Sequence, residues 1–142
     1  MFQRLPQPFG QCISLVGAAL TTAFQGGTAV AISGAEEIDV ELLATFDAST
    51  TLTNQIFQLQ VSDDNSNWEP VATTLASTGA APATSQTLNA SAGTTVRDRM
   101  QISSASLTTF RNAKYVRVAA KCTGTVKTGD SAVANLNYTI LG

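Results

Sequence analysis

The feature that most constrains this chain is a side-chain alternation of period two that recurs along its length. In the stretch EIDVELLATF, residues 37–46, Ile38, Val40, Leu42, Ala44 and Phe46 point one way and Glu37, Asp39 and Glu41 the other. A strand turns successive side chains to opposite faces, so the pattern predicts a strand with one dry and one wet side. The same alternation sets Phe57, Leu59 and Val61 against Gln58 and Gln60, and Val116, Val118 and Ala120 against Arg117 and Lys121. It also sets Ala134, Leu136, Tyr138 and Ile140 against Asn135, Asn137 and Thr139. Shorter strand patterns occupy LTTAF at 20–24, ended by Gly26 and Gly27, TAVAIS at 28–33, ended by Gly34, and RMQIS at 99–103. No segment carries a helical period with caps; a single turn fits near SLTTFRNAK. Many short strands with turn signals between them, in 142 residues, predict one all-β domain: an antiparallel β-sandwich, with a jelly roll as the leading variant.

The sequence divides into an extended N-terminal arm, residues 1–11, and a β-sandwich domain, residues 12–142. Pro6 and Pro8 bar the arm from a helix and from a central strand. The arm either drapes on its own domain or reaches a neighbour. In the second case Phe2, Leu5 and Phe9 are its apolar anchors, and Arg4 can pair with an acidic patch. The apolar run CISLVGAALTTAF is too short and too interrupted to span a bilayer and reads as strand. Residues 70–96 carry no charge, and within them ASTGAAPATSQTLNASAGTT, residues 76–95, reads as a long loop with a short strand near 85–88.

Composition excludes several functions. Charged residues make up 13% of the chain, about half the usual share, and Thr, Ser, Ala, Asn and Gln take their place. Such a surface gives copies of the chain little electrostatic reason to stay apart. The formal net charge is −2 and the eight basic residues are scattered, which argues against nucleic-acid binding. There is no histidine, and with it go the commonest general base and the commonest metal ligand. No P-loop, G-x-S-x-G or Cys-x-x-Cys is present, so no enzyme and no cofactor is expected. Glu36, Glu37, Asp39 and Glu41 read as a solvated strand face. Cys12 and Cys122 cannot form a structural zinc site alone; they are either one disulfide or two buried thiols. The tripeptides at 89–91 and 137–139 fit the glycosylation pattern and are read as chance.

The stretch FQLQVSDDNSNWEP, residues 57–70, runs from a strand into a polar knot and the single tryptophan. Asp63, Asn65 and Asn67 match the first three positions of a calcium loop, but Trp68 stands where glycine is needed and Thr74 where a bidentate glutamate is needed. The knot therefore reads as a corner in which Asp and Asn fold back on their own backbone, with Trp68 covering the end of the core. FQLQVSDDNSNWEPV, with the later KYVRVAA, resembles the core of the discoidin (coagulation factor 5/8 type C) family. That family's galactose-binding-like jelly roll carries a similar strand, a Ser-Asn/Asp-Asp-Gly-x-x-Trp turn and a Tyr-Val-Arg strand. Small β-sandwich proteins of tailed-phage virions carry the same pair of motifs. The resemblance covers about a third of the chain, and Asn65 and Ser66 stand where the family usually has glycine.

With the arm and the uncharged surface, the resemblance to virion proteins implies a structural role. The expectation is a capsid decoration or cement protein on the exterior of a tailed-phage virion. It would bind the major capsid protein and associate as a homotrimer, with no nucleic-acid or membrane partner. The alternative is a carbohydrate-binding module of a phage fibre or a secreted enzyme.

Overall fold

The computed structural model describes residues 4–32 and 35–141, with side chains described for 10–32 and 37–138. The described residues form eleven strands: β1 (Arg4–Val16), β2 (Gln25–Gly26), β3 (Val30–Ala31), β4 (Ala35–Thr45), β5 (Asn54–Ser62), β6 (Glu69–Pro70), β7 (Thr73–Leu75), β8 (Gln86–Asn89), β9 (Thr95–Ile102), β10 (Tyr115–Thr123) and β11 (Ser131–Leu141). One sheet has the order β1-β11-β4-β9-β7. The other has the order β2-β10-β5-β6, with β3 also on β10 and β8 also on β5. Every strand pairing is antiparallel. The molecule is the antiparallel sandwich that the alternation predicts, and the chain passes repeatedly from one sheet to the other.

The alternation sorts the side chains as the sequence indicates. Ile38, Val40, Leu42, Ala44 and Phe46 from β4 and its end are buried, as are Phe57, Leu59 and Val61 from β5, and Val116, Val118 and Ala120 from β10. Within the five-stranded sheet Leu42 lies opposite Ala134, and Val40 opposite Leu136. These alanines share one buried core with the rings of Phe46, Phe57 and Phe110. Each such ring or leucine side chain contributes about 1.5–3 kcal/mol by leaving water. The single helical turn is α1 (Leu107–Asn112), and its buried Phe110 closes one end of the core.

Two glutamines cross between the sheets. Gln55 on β5 is fully buried and donates from Nε2 to the Thr45 carbonyl of β4 at 2.9 Å. Gln86 on β8 donates to the carbonyl of Thr73 on β7 at 2.8 Å. Cys12 and Cys122 are buried free thiols. Burial pushes the Cys12 thiol up to about 12. The two thiols donate to the carbonyls of Ala134 and Thr21, so each sulfur has a local role and no bridge forms.

One strand reading is corrected. Residues 20–24 are not a strand: β1 ends at Val16, a 3-10 turn covers Gly17–Ala19, and pairing resumes only at β2. Gly17 sits at φ 55°, in the left-handed region where glycine turns the chain most easily. β7 precedes the stretch read as loop, β8 falls on the short strand expected within it, and Thr73 exchanges hydrogen bonds with Ala83 across the base of an exposed excursion.

The region read as an arm runs, from Arg4, as the first part of β1. It pairs with β11 from Arg4 opposite Leu141 to Val16 opposite Ser131. Register shifts fall between Pro8 and Gly10 and between Gln11 and Ile13. β1 is the outermost strand of its sheet, the place where proline is tolerated. The Cys12 carbonyl accepts from the Thr28 amide at 2.8 Å, which stitches the edge of one sheet to the connection between β2 and β3.

Candidate functional site

The polar knot is built by Asp64 rather than by Asp63. Its Oδ1 accepts from the amides of Ser66 (2.9 Å) and Asn67 (2.8 Å) and from the Ser62 hydroxyl (3.0 Å). Its Oδ2 accepts from Asn67 Nδ2 at 2.7 Å. Ser62 Oγ in turn accepts from the amides of Asp64 and Asn65. Asn65 adopts φ 61°, a left-handed conformation that asparagine tolerates where glycine is absent. The Asn67 and Ser66 amides, aided by the Asn67 and Ser62 side chains, hold the Asp64 carboxyl well below the usual carboxylate range. Asp64 is thus occupied by the turn itself, which explains why the calcium-like spacing makes a corner.

Trp68 departs from the sequence expectation. It does not cover the core; it lies half-buried on the outer face of the six-stranded sheet. The register explains this: Pro70 pairs with Gln60, so Trp68, two residues before Pro70, shares the outward side of β5 and β10. The Arg117 guanidinium stacks over the indole at 4.3 Å from the ring centroid. Arg117 Nε donates to Gln60 Oε1 at 2.7 Å, and Gln60 Nε2 to Gln58 Oε1 at 2.6 Å. A polar ladder therefore fixes the ring from one side. Beside it a shallow depression of about 370 Å³ opens between the knot and α1.

The outer face of the five-stranded sheet carries the acidic residues. Asp39 pairs with Arg99 on β9, and Glu41 Oε1 accepts from Asn135 Nδ2 at 3.0 Å. Glu37 is exposed, and the Glu36 side chain lies outside the described residues. Val133 and Leu43 lie side by side in this face, and Val16 at its margin is 57% exposed. Of the interface candidates, Phe2 lies outside the described residues. Arg4, Leu5 and Phe9 have their backbone on the edge strand β1, but their side chains lie outside the described set.

One polar centre was not legible in the sequence. Asp130, fully buried, accepts at Oδ1 from the Asp47 amide (2.9 Å) and the Thr50 hydroxyl (2.8 Å), and at Oδ2 from the Lys127 amide (2.8 Å). Asp47 accepts from the amide and hydroxyl of Ser49 and from the Gly129 amide. The two carboxylates lock the turn after β4 to the turn before β11. Only the generic turn residues around them signalled it, because the partner turns are some 80 residues apart in sequence. Among the described residues, no group of three or more metal-ligating side chains gathers, and no helix is long and apolar enough to cross a membrane.

No family model matches the chain, and no curated protein does. Among solved structures it is similar to the SPBc2 prophage-derived protein YomS, with a TM-score of 0.55 at 12% identity over 98% of this chain and 95% of that one. At that identity the likeness is one of fold: both chains share the sandwich almost end to end.

Proposed function

We propose that this chain is a non-catalytic structural protein of a tailed-phage virion, a decoration or cement protein that binds the capsid exterior and adds interface that must break before the shell can open. The observation that carries the reading is the end-to-end fold likeness to a prophage-derived protein. The strand order supports a jelly-roll winding for the sandwich: first strand beside last in β1-β11-β4-β9, and second beside second-last in the facing sheet. The sparse charge of the surface and the edge position of β1 suit association with copies of the chain and with the major capsid protein. In this reading the chain forms a trimer about a threefold axis, and Phe2, Leu5 and Phe9 anchor it to the shell.

The test is co-sedimentation of labelled chain with heads of the phage that encodes it. Deleting residues 1–11 would strip much of β1 from β11, so point variants are the better probe. Saturable binding weakened at least tenfold by Phe2→Ser with Leu5→Ser, in a chain that still unfolds cooperatively, supports the reading. Absence of the chain from the head pellet overturns it. Binding that the arm variants leave unchanged removes the arm from the interface.

A further inference from the structure

The depression beside Trp68 gathers side chains that the fold does not use. Asp63, Glu69, Thr109 and Asn112 are exposed on its rim, and none of these side chains makes a hydrogen bond or ion pair with another described residue. Asn67 adds an amide whose Nδ2 is already given to Asp64, leaving its oxygen to accept. Against them stands the one tryptophan of the chain, fixed by Arg117 and the glutamine ladder. A corner needed only for turning the chain would have no use for an indole at the surface. The hydrophobic side chains that close the core beneath it, among them Phe110, Ala113 and Val61, are already buried.

We infer that this depression is a binding site for an uncharged saccharide. Arg117 covers one face of the indole, and the part of Trp68 that lines the depression offers apolar surface to the C–H face of a pyranose ring. The carboxylates of Asp63 and Glu69 are acceptors for pairs of vicinal hydroxyls, while the Asn112 amide and the Thr109 hydroxyl can donate or accept. A few convergent polar groups beside an apolar surface are the composition of a small-ligand site. The same two carboxylates disfavour acidic sugars, because an anion beside them would meet like charge in a shallow, water-exposed site. The ring and the knot are held before any ligand arrives, so little conformational freedom is lost on binding. Of the two functions that the sequence left open, this one gains from the structure, since it places Trp68 outside the core. The inference does not rest on the capsid reading, and a chain that binds no capsid could still hold the sugar.

The experiment uses the whole chain. A glycan array carrying neutral and sialylated oligosaccharides is probed first, and the strongest neutral glycan is then titrated while emission is recorded. Trp68 is the single tryptophan, so its fluorescence reports the proposed site alone. The expected result is a saturable change in emission with the neutral glycan and none with its sialylated counterpart. In the doubly substituted Asp63→Asn, Glu69→Gln chain, binding should weaken at least tenfold. Both side chains are exposed, so that chain folds as the parent does. An array without signal, or a glycan bound equally well by the substituted chain, overturns the inference.

Discussion

Asp130 shows how much a single side chain can hold at the residue scale. Removing its carboxylate orphans two backbone amides in a buried setting, where each unmet donor is expensive. Asp130→Ala is expected to lower stability by about 3 kcal/mol, measured by urea unfolding at neutral pH; a loss below about 1 kcal/mol would contradict the role. Asp64 sets a pH dependence instead. Its carboxyl is held low in the folded chain, so its contribution is complete above the ordinary carboxylate value of about 3.9. It is lost as pH falls through that value toward the folded one. The chain should therefore lose stability below about pH 4, and Asp64→Asn should make that fall shallower. The fall should not vanish, because Asp47, held low chiefly by the Ser49 amide and hydroxyl, still titrates. Equal acid slopes in the two chains would refute the assignment.

Between elements, two adjacent glycines separate stability from surface geometry. A side chain at Gly27 would run into the carbonyl of Cys12 and the side chain of Ile13, which belong to the rigid stitch between the sheets. Gly27→Ala is expected to cost about 1–3 kcal/mol in unfolding free energy. A side chain at Gly26 would first meet the guanidinium of Arg117, the far end of a flexible chain. Gly26→Ala should thus keep most of the stability but push Arg117 off Trp68, seen as a red shift of tryptophan emission. An unshifted spectrum would mean that the stack does not cover the ring. The long strands β4, β5, β10 and β11 were legible in the sequence because each has one face in the core, and burial enforces period two. β3 falls within the pattern at 28–33, whereas β2 and β7 were not legible, since two or three residues carry no period. Gln55 was missed for another reason: a buried amide that bonds a backbone carbonyl of the facing sheet looks, in sequence, like any polar residue of a strand.

For the whole molecule, the corner beside Trp68 was legible as a turn but not as a surface, because the side of the sheet on which the indole falls is set by the pairing of Pro70 with Gln60. The proposed threefold association belongs to this scale as well. Light scattering on the purified chain is expected to give three times the chain mass, and a mass that stays at one chain across the concentration range would oppose threefold association in solution. The central claim, however, is a place on the particle. Gold-labelled antibody against the chain, applied to intact phage and imaged by electron microscopy, tests it most directly. Label distributed over the heads is the expected result; label confined to tails or fibres, or absent from particles, would contradict a capsid role.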